Sequence, residues 1–255
     1  MMMDSDLKPM ITPGASVLQT GQAGWHLEIP AGSSRRYQVA QLDNYGSRAR
    51  LAFPSRPPFS LKLRARASDR AIPGTWGFGL WNDPFGMGIM SGAERMRWPT
   101  LPNAAWFFFA SEQSYLSLRD DLPAKGWLAA TFRGPRRPLA WLALGAPAAP
   151  LVALPATARL LRRLGRRLAT QDAAQIPVDP TGWCPYELDW AVDQVTFRVD
   201  GRIVLQTGVA PRPPLGLVIW IDNQYAAWNP DGRLKFGTLP LAQPAWIEIE
   251  DLEVC

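Results

Sequence analysis

Hydrophobic and polar residues alternate with a period of two in several short stretches of the chain. Residues 195–199 read VTFRV, so that an apolar residue occupies every second position, which is typical of a β-strand with one buried face. Asp200 and Gly201 follow directly, and the glycine can take the positive φ that a two-residue hairpin requires. Beyond a second strand and a proline-rich corner, an apolar strand ends at Asp222. The segment 186–228 is therefore predicted to hold a hairpin and a third strand.

The same reasoning predicts strands throughout the chain. Residues 59–66 alternate apolar with polar, mostly basic, side chains, which puts Lys62, Arg64 and Arg66 on a solvent-exposed face. Residues 103–110 are apolar at almost every position, as expected for a central strand that is covered on both sides. Further strands are predicted at 25–29, which we place at a sheet edge, and at 37–42, 115–119, 127–132 and 246–254.

The composition supports an all-β fold. The chain has 255 residues, with 25 prolines, 21 glycines and 12 tryptophans, and this composition favours short strands joined by turns over long helices. All-β sandwiches of this length commonly form one unit. We therefore predict a single domain spanning 1–255, built as a two-sheet antiparallel sandwich.

One inserted segment departs from the strand pattern. Residues 138–154 carry no charge and are interrupted by prolines, and a basic stretch follows. In that stretch one helical face carries Leu160, Leu161, Leu164 and Leu168. The arginines lie mostly elsewhere on the helix, at Arg159, Arg162, Arg163, Arg166 and Arg167. We predict an amphipathic helical insertion within 138–172.

Three roles are open for this insertion. It would cap one edge of the sandwich, or it would form a lid over an apolar cleft, because an uncharged, proline-punctuated run suits a cover. In the third role the leucines enter a membrane interface while the five arginines meet anionic headgroups. The second and third roles are compatible in a protein that takes a lipid-like substrate from a bilayer.

Charge and targeting signals limit the binding partners and the cellular location that we expect. The net charge of +5 comes largely from a few arginine clusters, so we do not expect nucleic-acid binding. The first residues carry acids where a signal peptide has its basic region, and no run of about 18 apolar residues is present. We expect a cytoplasmic chain, with peripheral membrane contact as the alternative that the insertion allows.

Reactive side chains are few. Cys184 and Cys255 lack metal-ligand spacing and are expected to be unrelated thiols in a reducing compartment. His26 is the single histidine, which leaves little from which to build a Ser-His-Asp triad or a multi-histidine metal site. No glycine-rich phosphate loop precedes a helix. The sequence predicts neither a metal site nor a cofactor.

Glycines alternate with large aromatic residues at 74–86, GTWGFGLWNDPFG. Glycine in a strand indicates that a ligand, a backbone or a bulky neighbour approaches closely. Two interpretations are open: an aromatic core in which the glycines make room, or a strand that lines a cleft with Trp81, Asn82 and Asp83 at its mouth. A second set of polar residues beside aromatics begins at Asp222, and such sets are typical of small-molecule sites.

These segments resemble a known family. YELDWAVDQVTFRVDGRIVLQT, with PPLGLVIW at 213–220, resembles the late strands of family 16 glycoside hydrolases and, more broadly, of concanavalin A-like lectin/glucanase jelly rolls. GTWGFGLW at 74–81 is similar to the earlier cleft strand of that family, and 246–254 to its end. The resemblance covers 59–133 and 183–254. It implies two packed antiparallel sheets with a binding groove on a concave face.

The catalytic motif of that family is missing where the resemblance places it. The family hydrolyses β-glucans with a Glu-x-Asp-x-x-Glu strand whose outer glutamates act as nucleophile and general acid/base. The corresponding region, 103–110, carries alanine and phenylalanine instead. Glu187 and Asp189 begin a similar pattern, but it is one residue too long, ends at Asp193 and lies on a later strand. We expect that glycosidase catalysis has been lost.

Three hypotheses remain for the aromatic cleft. In the leading one, an apolar small molecule or lipid binds between Trp106 and Trp220, while Asp222, Asn223 and Asp83 orient its polar end. In the second, Asp83 or Asp222 has a raised pKa in a dry pocket and serves an isomerase, cyclase or hydrolase that acts on a hydrophobic substrate. In the third, the tryptophans stack on sugars, as in a carbohydrate-binding module. The side chains predicted to contact the ligand are Trp81, Asn82, Trp106, Trp220, Asn223, Tyr225 and Trp228.

Overall fold

The computed structural model describes residues 7–84, 86, 97, 100–135 and 155–255. Within these residues the chain forms 16 strands and one α-helix. The strands are β1 (Lys8–Ile11), β2 (Ser16–Gln19), β3 (Trp25–Ile29), β4 (Val39–Asp43), β5 (Phe59–Ala67), β6 (Thr75–Trp81), β7 (Ala104–Ala110), β8 (Gly126–Arg133), β9 (Thr170–Gln175), β10 (Cys184–Trp190), β11 (Val195–Val199), β12 (Arg202–Thr207), β13 (Gly216–Asp222), β14 (Gln224–Trp228), β15 (Leu234–Thr238) and β16 (Ala245–Val254), and the helix is α1 (Pro155–Leu168).

Fourteen of these strands form two seven-stranded antiparallel sheets. The first sheet has the order β1-β4-β13-β6-β7-β8-β9, and the second has the order β12-β11-β10-β5-β16-β3-β2. Strands that are distant in sequence lie side by side, as where β13 pairs with both β4 and β6. The strands β14 and β15 form a separate hairpin. The predicted two-sheet antiparallel sandwich with one helical insertion is confirmed.

The two sheets pack face to face through one apolar core. Trp76 and Phe78 of β6 point into it from the first sheet, and Tyr186 and Leu188 of β10 point into it from the second. The rings of Phe78 and Tyr186 meet edge-on at 5.2 Å between centroids, an arrangement that aromatic pairs favour. Burial of these inner faces supplies the main driving force for the sandwich.

The outer faces of the two sheets differ sharply in polarity. On the second sheet, Arg64 and Arg66 of β5 lie beside Glu250 and Glu248 of β16, so the alternation predicted for 59–66 is confirmed. The first sheet is apolar on its outer face as well. A second buried cluster there includes Tyr45, Phe53, Trp81, Trp106, Phe108, Phe132, Val218 and Trp220.

The predictions of one turn and one helix are confirmed. Asp200 and Gly201 join β11 to β12 with φ values of 49° and 70°, as a type I′ hairpin turn requires. The basic amphipathic helix is present as α1, whereas 138–154 lie outside the described residues. Among the helices of the described ranges, none has the length and apolar character needed to cross a bilayer.

Three local predictions were wrong. Residues 115–119 contain no strand; Tyr115 makes a single bridge to Ala227, and side chains from distant elements satisfy the neighbouring backbone groups. The strand β3 is not at an edge, because β2 and β16 flank it. Residues 170–172, which we assigned to the insertion, belong to β9 of the first sheet. These errors have a common cause. The local sequence pattern does not show which distant segment will hydrogen-bond to the backbone groups of a given stretch.

Candidate functional site

A cavity of about 540 Å³ lies between the outer face of the first sheet and the segments that cover it. Strands β6, β7, β8 and β13 form its floor. The sheet residues that line it include Trp81, Trp106, Phe108, Leu128, Ala130, Phe132, Trp220 and Asp222. The covering residues include those at 100–102, 115–118, 123–124 and 224–226, together with Trp228, Leu234 and Phe236. The site is thus a pocket built on the outer face of one sheet.

Four aromatic rings pack together at the centre of this floor. Trp81 and Trp220 stack with 6.0 Å between ring centroids and 6° between planes. Trp106 lies 5.7 Å from each of them, and Phe108 lies 5.8 Å from Trp220. Each indole is at most 7% exposed. The rings therefore form a wall of a pocket, not an open flat platform.

Two glycines of β6 make this packing fit. Gly77 lies opposite Trp220 in the sheet register, and a Cβ on Gly77 would stand 2.2 Å from the carbonyl oxygen of Phe107 and 3.0 Å from the Trp220 ring. Gly79 lies opposite Trp106, and its Cβ would stand 2.6 Å from the Trp106 Cα. Both interpretations of the glycine-aromatic pattern thus describe the same strand, since the glycines admit bulky neighbours and the strand lines the cavity.

The polar end of the cavity is formed around Asp222, the last residue of β13. Its Oδ1 accepts hydrogen bonds from the Thr75 hydroxyl (2.8 Å), the Thr75 amide (3.2 Å) and the Gln224 amide (3.0 Å). The Tyr37 hydroxyl lies 3.5 Å from Oδ2. Burial raises the pKa of Asp222 to about 7, although these hydrogen bonds oppose the shift. Thr75 also accepts a hydrogen bond from the Trp220 indole at 3.0 Å, which ties the carboxylate to the aromatic wall.

A second carboxylate, Asp43 of β4, lies behind the lining. Gln41 faces the cavity and its Nε2 donates to Asp43 Oδ2 at 2.8 Å. The amides of Tyr45 and Gly46 donate to the other oxygen at 3.0 and 2.6 Å. Burial raises the pKa of Asp43, against these hydrogen bonds. Asp43 does not itself line the cavity, so Asp222 is the acidic residue that the described chain presents there.

Asp83 is placed differently from the prediction. Its Oδ2 accepts a hydrogen bond from Arg97 at 3.0 Å, and both side chains are buried. Arg97 also donates to the carbonyls of Tyr45, Gly46 and Arg48. Asp83 therefore lies outside the cavity lining and is paired with a buried arginine, unlike the position at the mouth of the cleft that the sequence predicts.

The two predicted asparagines also lie outside the lining. Asn82 binds the Leu101 carbonyl and the Asn103 amide at 3.0 Å each. Asn223 accepts from the Gln38 amide at 2.9 Å and donates to two carbonyls, those of Arg36 and Leu239, at 3.0 Å each. These side chains fix the loops that frame the site. Both side-chain amides hydrogen-bond to backbone groups of these loops. Their positions next to Trp81 and Asp222 in the sequence do not reveal this role.

The other predicted residues are brought together at the cavity. Its lining includes Trp81, Trp106, Trp220, Tyr225, Trp228 and Asp222. Sequence reasoning missed Phe108, Thr75 and Tyr115. Phe108 stands two positions after Trp106 on the same strand, so the period of two was a sufficient signal for it. The same period of two places Thr75 on the face of Trp81, six positions before it on β6. No local signal predicts Tyr115, because its place depends on β14 and on α1.

Arg162 of α1 anchors the segments that cover the cavity. Its side chain is 3% exposed and pairs with Asp120 at 2.6 Å. It donates to the carbonyls of Ser117 and Trp228 at 2.7 Å each and lies 5.3 Å over the Tyr115 ring. Arg162 is thus buried, which corrects the expectation that it faces a membrane. No described side chain of α1 lines the cavity, and the helix instead holds the cover in place through Arg162. The predicted lid segment, 138–154, lies outside the described residues.

Strand β7, where the sequence resemblance led us to look for catalytic acids, carries none. The outer face of β7 presents Ala104, Trp106, Phe108 and Ala110. Glu187 and Asp189 lie on β10 of the second sheet, where both are within ion-pair distance of Arg198. They are therefore on the opposite sheet from the cavity.

The fold is shared with carbohydrate-active enzymes. A family 16 glycoside hydrolase of Bacteroides ovatus, solved in complex with a G4G4G3G product, has a TM-score of 0.51 at 12% identity, over 100% of this chain and 96% of that one. A glycoside hydrolase family protein from Mycobacterium thermorestibile has a TM-score of 0.51 at 14% identity, over 94% and 79%. A glycosyl hydrolase family protein from Mycobacterium fortuitum has a TM-score of 0.51 at 9% identity, over 98% and 92%. Neither a protein-family model nor a curated protein matches the sequence. At these identities the likeness concerns the fold, and the chain is a jelly roll similar to those of family 16 glycoside hydrolases.

Proposed function

We propose that this protein binds a largely apolar small molecule in the cavity on the outer face of the first sheet. The observation that carries the proposal is the lining itself, in which indole and phenyl rings surround a volume of about 540 Å³ with one carboxylate at its polar end. Small-molecule sites typically combine an apolar wall with a few placed polar groups. The volume lies within the usual range for such sites.

Several polar groups of the lining, unlike the indole N–H groups of Trp81, Trp106 and Trp228, are already hydrogen-bonded to the protein, which favours an apolar ligand over a sugar. Gln171 Oε1 accepts from the Leu118 amide at 2.8 Å and from the Ser117 hydroxyl at 3.2 Å. Gln41 donates to Asp43, and Thr75 donates to Asp222. These side chains already hydrogen-bond to other protein groups, whereas a sugar needs many hydrogen-bond partners for its hydroxyls. An apolar ligand needs only the aromatic wall and one polar contact.

Mass spectrometry of molecules extracted from the purified protein tests this function. We expect an apolar compound to co-purify with the wild type, and Trp220→Ala to lose it because the mutation removes the central ring of the wall. Trp183→Ala is the matched control, since Trp183 is half-buried against Arg64 and Arg66 on the second sheet. Retention by both variants, or no binding of added apolar ligands by the wild type, would contradict the proposal.

A carbohydrate ligand is the rival from another class. It is supported by the glucan-active structures that share the fold, one of which holds a glycan product. Affinity electrophoresis in β-glucan gels distinguishes the two ligands. We expect no retardation of the wild type. Retardation that Trp220→Ala abolishes would show that the ligand is a glycan and not an apolar molecule.

Catalysis by Asp222 is a second candidate, favoured by the pKa of about 7. Such a carboxyl can give or take a proton near neutral pH. If the extracted compound turns over, Asp222→Asn should abolish turnover while the compound still binds. Turnover that survives this substitution would exclude the role.

Contact with an anionic membrane is proposed for the outer side of α1. Leu160 is 54% exposed, and Arg159, Arg163 and Arg167 are exposed on the same helix. Exposed leucines with flanking arginines suit an anionic interface. We expect co-sedimentation with phosphatidylserine vesicles but not with phosphatidylcholine vesicles, and loss of it in Arg159→Gln/Arg163→Gln. Equal sedimentation with both lipids would contradict this contact.

A further inference from the structure

Asp222 is a buried carboxylate without a cationic partner in the described part of the chain. Its bonding partners are neutral: the Thr75 hydroxyl and amide, the Gln224 amide and the Tyr37 hydroxyl. The three closest all reach Oδ1, which leaves Oδ2 with only the 3.5 Å contact to Tyr37. Asp83, which lies beyond the opposite end of β6, is paired with Arg97. Buried carboxylates are rarely left unpaired in proteins. Among the described residues, however, none provides a positive charge to pair with the Asp222 carboxylate.

The aromatic wall lies directly beside this carboxylate. Trp220 precedes Asp222 by two residues on β13, so both side chains are on the same face of the strand. A continuous hydrogen-bonded path runs from the Trp220 indole through the Thr75 hydroxyl to Asp222. Trp81 stacks on Trp220, and Trp106 closes the group. Indole faces attract cations through their quadrupole, most strongly when water is excluded.

We propose that the ligand of this cavity is an apolar organic cation, an amine or a quaternary ammonium compound, whose charge lies between the indole faces and the Asp222 carboxylate. This inference rests on the proposed function, because it assigns a charge to the molecule bound there. The cation supplies the counterion that the described residues do not provide, and its hydrocarbon part fills the rest of the apolar cavity. A single cavity wall thus provides both the ion pair and the cation–π contacts.

A neutral ligand with an acceptor oxygen is the competing occupant, held by the protonated form of Asp222. The two ligand classes give opposite pH dependence. The titratable groups that face Asp222 and the cavity are the phenols of Tyr37, Tyr115 and Tyr225, with Asp43 behind Gln41. Burial raises the pKa of Tyr37 well above its ordinary value, so it stays neutral. No Lys, Arg or His of the described residues lines the cavity.

The test compares benzyltrimethylammonium with neopentylbenzene, which has the same shape without the charge. At pH 8 we expect the ammonium compound to bind roughly tenfold more tightly or better. Its affinity should rise roughly tenfold from pH 5.5 to pH 8, as Asp222 loses its proton. Asp222→Asn should remove both the preference and the pH dependence. The wild-type pH profile tests the inference even if this variant does not fold.

The outcomes separate this inference from the proposed function. Equal binding of the two compounds, or affinity that falls as pH rises, overturns the cationic ligand and leaves an apolar site in place. Binding of neither compound, together with an extract that holds no apolar molecule, overturns both. Preference for the ammonium compound that Asp222→Asn retains overturns the assignment to Asp222.

Discussion

Burial leaves Asp222 with hydrogen bonds from Thr75 and Gln224 but with no cation among the described residues, and for that reason the pKa of its carboxyl rises from 3.8 to about 7. Between these two values the folded protein keeps a proton that the unfolded chain has released. The free energy of unfolding therefore falls as pH rises through this window. Asp222 thus provides the cavity with a carboxyl that titrates near neutral pH, and it lowers the free energy of unfolding as pH rises towards 7.

Asp222→Asn should remove this pH dependence. Asparagine keeps an oxygen for the three donors but carries no charge, so the variant and the wild type should be similarly stable near pH 4. Their difference should grow in favour of the variant by up to roughly 1.4 kcal/mol per pH unit towards pH 7. Denaturant unfolding at several pH values measures it. Asp193→Asn, at an exposed turn position, is the control, and parallel profiles for all three proteins would contradict the assignment.

Gly77→Ala should be strongly destabilising. The added methyl group would stand 2.2 Å from the Phe107 carbonyl oxygen, which is backbone and cannot move aside. We expect a loss of about 3 kcal/mol or more, with the Trp220 ring displaced. Gly182→Ala is the matched control, because nothing lies within 4 Å of its added Cβ. Thermal unfolding measures both, and equal midpoints would show that the strand tolerates the methyl group.

At the scale of secondary-structure elements, α1 is fixed through one buried guanidinium more than through its leucines. Ala158, Arg162 and Gly165 are the buried positions of the helix, whereas Leu160 and Leu168 are exposed. The small residues let the helix approach closely, and Arg162 then satisfies carbonyls of two covering segments. The helix and the cavity cover are therefore coupled.

Arg162→Met should loosen this cover. The carbonyls of Ser117 and Trp228 lose their donor, and we expect a loss of about 2 kcal/mol of unfolding free energy. Hydrogen exchange should quicken at 115–118. Arg163→Met, on the exposed side of the same helix, should change stability by less than about 0.5 kcal/mol. Equal exchange in the two variants would show that α1 does not hold the cover.

At the scale of the whole molecule, neither sheet can bury its inner face without the other. The core draws residues from strands of both sheets, including Leu27 and Ile249 from the second and Ile219 from the first. Sequence neighbours are split between sheets, as β4 and β5 are. The jelly roll therefore has no half that is complete in itself.

Unfolding should consequently be a single cooperative transition. Far-ultraviolet circular dichroism and tryptophan fluorescence should give the same midpoint in guanidinium chloride. The two probes report on both sheets and on the aromatic wall together. Two separated transitions would mean that the predicted single domain is divided.

Much of the architecture was readable from local pattern. Every predicted strand except the one at 115–119 is present, the Asp200–Gly201 turn is present, and the apolar run at 103–110 is buried on both faces. These features depend on residue spacing along one strand or one turn. The candidate site was only partly readable, since Trp220 and Asp222 line the cavity whereas Asp83 and Asn223 do not. Nothing local distinguishes a polar side chain that faces a ligand from one that caps a loop.

The sequence by itself determined that this protein is a sandwich of short antiparallel strands with an aromatic-rich cleft strand and one basic helix, because alternation and turn chemistry act between near neighbours. Only the tertiary structure decided that Arg97 pairs with Asp83 and that Arg162 of α1 is buried against the covering segments. It also decided that no described residue provides a cation for Asp222 beside the indoles. These pairings join residues far apart in the chain. Their physical cause is the packing of distant segments over the outer face of the first sheet, which sets the charge and the shape of the site.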